Sequence, residues 1–378
     1  MKKKVITIFL LLIVISLSLT FANSKNKNPK NINLDIKNTN FSIKKDSLVK
    51  KDTVTIVAVG DMMLGTNYPS NPNYLPPNND CSPLLKDVKK YLINADLTFG
   101  NCEGTFSDNP KYAKSCSNPR WCYRFSMPTK FVNCFVDAGF DVVSIANNHI
   151  HDLSSYGKKN TIKTLRDAGL HFAGVCEVPI DTFTINNVKY GFCAFAPNKG
   201  TCQITDYNTM QKRIKKLKKE CQVVLVSFHG GAEGSKHEHV TRQTEYFLGQ
   251  NRGNVYKFAH LAIDAGADLV IGQGPHVTRA IEIYKNKFIA YSLGNFCTYR
   301  RFNLRGISGI APILKLWLND KGDFIKGKII PIYQDKFKGT FYDNQKRVIK
   351  RMQVLTKQDF PKGKLKITDE GLILLNAN

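Results

Sequence analysis

Six short apolar runs in this sequence are each followed at once by residues able to hold a cation or move a proton. Val54 to Val59 leads into Gly60-Asp61-Met62-Met63-Leu64-Gly65, and Leu97 to Phe99 into Gly100-Asn101-Cys102-Glu103-Gly104. Val142 to Ile145 leads into Ala146-Asn147-Asn148-His149-Ile150-His151-Asp152, and Val223 to Phe228 into His229-Gly230-Gly231-Ala232-Glu233. Leu269 to Ile271 leads into Gly272-Gln273-Gly274-Pro275-His276, and Phe288 to Tyr291 into Ser292-Leu293-Gly294-Asn295-Phe296. Carboxylate, amide oxygen and imidazole together, without thiolate, suit Mn, Fe, Zn or Mg rather than a soft metal. Two such ions about 3.5–4 Å apart can activate water and stabilise the leaving oxygen in phosphoester cleavage. Each residue alone has a plainer reading. Asp61 could cap a helix, Glu103 could belong to a turn, Asn is common in turns, and His229 or His276 alone would more often be a hydrogen-bonded core histidine. The set carries the signal. His171 and His260 stand without companions and are read as structural. His237 and His239 flank Glu238 in what reads as a solvated loop, and Cys102 reads as a disulfide partner or a buried thiol.

The elements that must position these residues follow from the same runs. They are β-branched or aromatic and only a few residues long, which marks strands. Between them lie helical patterns: from Ser82-Pro83 to about Asn94, from Pro128 to Gly139, about Gly157 to Ala168, and about Val240 to Ala265 with a break at Arg252-Gly253. Three end in Ala-Gly, at Gly139, Gly169 and Gly266, where glycine can take the left-handed conformation that stops a helix. The lysines from Lys212 to Lys219 form the solvated face of a further helix, with Ile214 and Leu217 turned inward. Alternating strands and helices give an α/β sandwich, in which ligands bind beyond the carboxyl ends of the strands. No internal repeat stands out.

The termini read differently. Lys2 to Lys4, an apolar run from Val5 to Leu19 and Thr20-Phe21-Ala22 form a secretory signal over residues 1–22. The run is short for a spanning helix, which needs about 20 residues; left uncleaved it would serve as a membrane anchor. No Cys follows it as a lipoprotein would require. Residues 23–52, rich in Asn, Lys and Ser, cannot bury enough surface to order themselves and are read as a linker. The ordered domain is expected over 53–335, with a basic extension over 336–378 packed on it. The chain has 378 residues and a net charge of +25; the first 52 hold 11 Lys/Arg against 3 Asp/Glu, and the remainder 44 against 27. A basic surface suits an acidic partner, although a lysine-rich proteome gives the same balance. Secretion argues against nucleic acid. The ten cysteines fit an oxidising compartment. Cys116 and Cys122 lie close enough in a loop to be a candidate pair, though connectivity is not readable from sequence. No CxxC or zinc-finger spacing occurs.

With these motifs in place, the chain from about Thr53 to Phe296 resembles the CapA family, bacterial capsule-synthesis proteins linked to poly-γ-glutamate. The ordered matches are Gly60-Asp61 with Met63-Leu64-Gly65, then Asn101 and Glu103-Gly104, and Ala146-Asn147-Asn148-His149 with Asp152. His229 with Gly231 and Glu233 follows, then Asp264-Ala265-Gly266-Ala267-Asp268, Pro275-His276-Val277 and Tyr291-Ser292-Leu293-Gly294-Asn295-Phe296. The family is similar to calcineurin-like metallophosphatases, which implies a four-layer α/β/β/α sandwich. By that resemblance Asp61 and His276 would belong to one divalent metal and Asn148 and His229 to a second. Asn101 or Glu103 would lie between them, and His149 would contact substrate or donate a proton, with Asp152 orienting it. Glu233 and Asn295 are expected to face substrate. Two positions depart from the phosphatase pattern. Met63 stands where an Asp-x-His would place its histidine, and Gly274 where a His-x-His would place its first. A tryptophan common after the strand-end histidine is replaced by Gly230. One metal, or a site completed by Glu103, Glu233 or a loop histidine, is therefore as consistent as two. The resemblance implies an exported protein, periplasmic or bound to the cell envelope, which acts through one or two ions in synthesis, export or processing of an anionic polymer such as polyglutamate. Its partners would include a membrane capsule-synthesis complex. An extracytoplasmic metallophosphoesterase and a non-catalytic polymer-binding or assembly protein are the alternatives.

Overall fold

The computed structural model describes residues 52–115 and 122–376; the expected signal and nearly all of the expected linker lie outside them. In chain order the elements are β1 (Thr53–Met63), α1 (Lys89–Leu92), β2 (Leu97–Cys102), α2 (Val132–Ala138), β3 (Val142–Ser144), α3 (Ser154–Asp167) and β4 (His171–Ala173). The hairpin β5 (Asp181–Ile185) and β6 (Val188–Phe195) follows, then α4 (Tyr207–Glu220), β7 (Val223–His229), α5 (Val255–Asp264) and β8 (Leu269–Gln273). A second hairpin, β9 (Ile281–Tyr284) and β10 (Lys287–Ala290), precedes β11 (Asn295–Thr298), β12 (Ile310–Asn319), β13 (Phe324–Asp335) and β14 (Gly339–Tyr342). Then come α6 (Arg347–Asp359), β15 (Leu365–Ile367) and β16 (Leu372–Leu375).

Two sheets stack. The larger has the order β15-β16-β13-β12-β1-β2-β3-β4, with β11 beside the end of β1 and β14 beside β13; the smaller has the order β9-β10-β8-β7-β6-β5. Neighbours from β1 to β4 are parallel, as are β6, β7, β8 and β10. Strand alternation divides the core. Val54, Ile56 and Ala58 of β1 face inward with Phe99 against Tyr190, Phe192, Leu225 and Ile271 of the smaller sheet. Val57 and Val59 face the other way, into a layer that includes Phe135, Ile162 and Leu165 from α2 and α3. On the smaller sheet, Val224, Val226 and Val270 pack under Ile214, Leu217 and Phe258 of α4 and α5. The result is the expected α/β/β/α order of layers.

Helices α2, α3 and α5 stop before Gly139, Gly169 and Gly266, all at positive φ; at Gly139 (φ 89°) the amide reaches back to Phe135 O and Val136 O, as a left-handed cap does. One expected helix is shorter than its pattern. Residues 240–254 are irregular, with a small ladder pairing Tyr246 with Asn251, and α5 begins only where Asn254 Oδ1 accepts the Lys257 amide at 2.8 Å. The apparent apolar face upstream is not a face at all, since Leu248 is 83% exposed. Residues 339–375 are woven into the larger sheet through β14 and β16, both paired with β13. Val348, Ile349 and Met352 of α6 enter the core between the sheets. Among the described residues, no helix is long and apolar enough to cross a membrane. A disulfide joins Cys81 to Cys134, 53 residues apart. Cys122 is disulfide-bonded, but Cys116 lies outside the described residues. Cys102 is a buried free thiol.

Candidate functional site

Parallel strands place their last residues on one rim, and both sheets deliver there. Asp61 lies near the end of β1, at an irregularity in its pairing with β2 and β11, and its amide is held by Gly294 O at 2.9 Å. Asn101 lies at the end of β2, with Glu103 just beyond; His229 ends β7, and His276 follows β8 in a left-handed turn with φ 57°. Asp61, Glu103 and His229 are fully buried, and each brings a ligating atom within 4.8 Å of the others. Two buried acids beside a buried imidazole are costly unless something compensates their charge.

The hydrogen bonds show how the group is held. Asn101 Nδ2 donates to Asp61 Oδ1 at 2.8 Å, and Asn147 Nδ2 lies 3.4 Å from Asn101 Oδ1 while donating to Cys102 O at 2.8 Å. Both ends of the Asn101 amide thus hold neighbours in place. His276 Nδ1 lies 2.9 Å from Asp61 Oδ2, and its Nε2 faces Glu103 Oε1 at 3.5 Å and Glu233 Oε2 at 3.9 Å. His149 Nδ1 lies 2.7 Å from Asp152 Oδ2, which leaves Nε2 turned toward Glu103 Oε1 at 3.8 Å. Asp152 also takes the Phe125 amide at 2.6 Å and an ion pair with Lys114. The Phe125 ring lies on the His149 ring, with centroids 4.2 Å apart.

Glu103 Oε1, His229 Nε2 and Asn148 Oδ1 are among the buried lone-pair donors here that have no hydrogen-bond partner among the described residues. Buried polar atoms are seldom left so, and a carboxylate oxygen, an imidazole nitrogen and an amide oxygen are the atoms a divalent cation takes. The residues fit such an ion. Burial, then the Arg252 and His276 charges, holds His229 well below its ordinary value, so its ring is neutral and able to ligate. Burial and the adjacent Asp61 carboxylate push Glu103 well above the usual carboxylate range. Burial opposes the charge on His276, but the Glu103, Asp61 and Glu233 carboxylates outweigh it and raise the ring to about 10.

Above the group opens a cleft of about 710 Å³ whose lining includes Asn148, His149, Glu233, Arg252, His276 and Arg301. Arg252, buried and pairing with Glu233 at 3.0 Å, was not distinguishable in the sequence from any other loop arginine. Asn147, by contrast, stands inside a motif already singled out, and only its neighbours were assigned roles. Asn295 does not line the cleft; it is buried, and its amide donates to His276 O at 3.3 Å and Ser308 O at 3.1 Å. His171 and His260 lie away from the group, paired with Asp181 and Glu282, and His239 pairs with Asp359.

The two departures from the phosphatase pattern have a structural basis on one side. Gly274, at φ 115°, has no space for a side chain: a Cβ there would fall 2.8 Å from both N and O of Gly230. A Cβ on Gly230 would in turn meet Ile204 Cδ1 at 2.6 Å and Arg252 O at 2.9 Å. The glycines are therefore a matched pair, and neither a histidine at 274 nor a tryptophan at 230 fits this backbone. Met63 is buried in the core.

The family model described as "Bacterial capsule synthesis protein PGA_cap" matches residues 55–300. The chain belongs to that family. The match spans Asp61, Asn101, Glu103, Asn148, His149, His229 and His276. Among relatives, the chain is 28% identical over 269 residues to "Capsule biosynthesis protein CapA" of Bacillus anthracis, covering 65% of this chain and 60% of the relative. It is 25% identical over 261 residues to "PGA biosynthesis protein CapA" of Bacillus subtilis strain 168, covering 65% and 63%. The matches thus span about three-fifths of the length of these curated relatives. Among solved structures, a 5'-nucleotidase precursor from Thermus thermophilus is similar at TM-score 0.42 and 10% identity, covering 82% of this chain and 59% of that one.

Proposed function

We propose that this chain acts in synthesis, export or processing of an anionic envelope polymer of the poly-γ-glutamate type, on the outer side of the membrane, through a site that holds a divalent cation. The observation that carries the reading is the convergence of Asp61, Glu103 and His229, with unpartnered lone pairs on Glu103, His229 and Asn148, at the foot of a cleft edged by Arg252 and Arg301. Asp61, Glu103 and His229 would hold the ion, with Asn148 as a fourth donor. The closed space at Gly274 favours one ion over two. A bound cation of this kind polarises an acyl or phosphoryl oxygen and lowers the pKa of water.

The chain's own residues supply the rest. Asn101 and Asn147 fix the carboxylates. Asp152 takes the Nδ1 proton of His149 in a hydrogen bond, so Nε2 is the nitrogen that can hand a proton to a leaving group from the cleft wall. Phe125, whose ring lies on His149 and stacks on that of Phe302 at 5.0 Å, walls the histidine from solvent. The basic surface draws a polyanion toward the mouth.

The relatives' names, which speak of capsule and PGA biosynthesis, support the substrate class. The test combines elemental analysis of the purified protein with the length distribution of poly-γ-glutamate incubated with it. Bound metal near one per chain and polymer processing that stops in chelator are expected. Processing that continues unchanged in chelator would remove the metal role. Hydrolysis of simple phosphoesters with polyglutamate untouched would favour a phosphoesterase.

A further inference from the structure

Arg300 and Arg301 are adjacent in the loop after β11, and their guanidinium groups go to different places. Arg301 lines the cleft above the carboxylate group, with its guanidinium 4.5 Å from the Tyr74 ring centroid and 5.5 Å from that of Tyr123. Arg300 lines a second groove of about 310 Å³ and lies 4.3 Å from the Phe337 ring centroid. Tyr74 links the two: its ring carries Arg301, while its chain neighbours Asn73 and Leu75 line the second groove.

Both arginines are held by rings rather than by acids. Among the described residues, neither guanidinium has a carboxylate within ion-pair distance, although Arg252, Arg279, Arg347 and Arg351 all do. Arg300 Nε is buried and without a hydrogen-bond partner among the described residues. The lining of the second groove contains no acidic residue. Aromatic faces hold a guanidinium in place while leaving its N–H groups free for a planar, doubly accepting anion. Such preorganisation reduces the entropy lost on binding.

We propose that Arg301 and Arg300 are two successive anion sites of one track, along which a polymer with regularly spaced carboxylates runs from the cleft over Tyr74 into the second groove. This rests on the polymer reading above and adds where the chain beyond the reacting bond lies. A small substrate would need only the cleft; a second, separately held cation outside it serves a ligand longer than the cleft.

End-labelled γ-linked oligoglutamates of graded length, titrated against the full chain by fluorescence anisotropy, test this. Affinity should rise with length until the oligomer reaches the second groove. Arg301→Gln should weaken every length about tenfold, as loss of one charged hydrogen-bonding contact does, with partial recovery in Arg301→Lys. Arg300→Gln should weaken only the longer oligomers and so remove the gain with length. Unchanged metal content and unfolding midpoint in these variants would show that fold and ion site are intact. Wild-type affinity at all lengths in both Gln variants overturns the track while leaving the proposed function standing. Failure of the unaltered protein to bind any oligoglutamate overturns both. Arg300-dependent binding of linear polyphosphate without binding of oligoglutamate overturns the carboxylate assignment.

Discussion

His229 and Asp61 meet in space although 168 positions separate them in the chain, and the properties of the site follow from that meeting. If this buried imidazole and the two acids hold the ion as proposed, His229→Ala and Asp61→Asn should each remove most of the bound metal. Elemental analysis of the purified variants would read this directly, and full occupancy in both would refute the ligand assignment. Gly274 makes a second, steric prediction. Gly274→Ala puts a methyl group 2.8 Å from the Gly230 backbone at a φ that disfavours side chains, and should cost about 2–4 kcal/mol in a denaturant titration. Strand-end acids, amides and histidines were legible in the sequence because parallel strands must bring their ends to one rim. Arg252 and Arg301 were not, because their place in the cleft depends on loop paths that no periodicity encodes. The amide of Asn295 was expected to face substrate, yet it supports the His276 backbone instead; residue type alone cannot say on which side of a ligand a side chain stands.

At the scale of elements, the long segment between β7 and α5 replaces part of an expected helix with an ion-paired loop. Arg279 reaches it from beyond β8, forming two hydrogen bonds with Glu245 at 2.9 and 2.7 Å and further bonds to His237 O and Ala232 O. Both partners are buried, so Arg279→Ala would leave a carboxylate without compensation and should destabilise the fold by about 3–5 kcal/mol. Thermal or denaturant unfolding would show it. The sequence pattern missed this because apolar spacing at Val240, Tyr246 and Phe247 mimics a helical face, whereas the positive φ of Gly249 and Gly253 emerges only in the folded loop. The Cys81–Cys134 disulfide ties the turn before α1 to α2 across 53 residues. By loop-closure entropy its removal in a double Ser variant should cost about 4 kcal/mol, observable as a lower unfolding midpoint than that of the oxidised protein. The pairing was not legible, since spacing does not determine connectivity.

For the whole molecule, an α/β sandwich was readable from alternating strands and helices and the order of its layers from the family resemblance, but the closing of the sandwich was not. Its signals are weak: short β14 to β16 and a helix with a charged outer face. Met352 of α6 is fully buried between the sheets, so Met352→Ala should cost about 2–5 kcal/mol, measurable by equilibrium unfolding. A loss under about 1 kcal/mol, below the range for a buried methionine, would mean that α6 merely rests on the surface. The same helix sets a temporal order. The contacts of β1 with β12 join segments about 260 positions apart in the chain, and such non-local topologies fold slowly; α6 then packs on β12, β13 and β9, which all precede it. As the chain emerges from a ribosome or a translocation channel, the facing apolar surfaces of the two sheets stay uncovered along one edge until α6 arrives. An uncovered apolar edge of this kind is prone to aggregation, so the emerging chain is exposed to that hazard until its last helix packs.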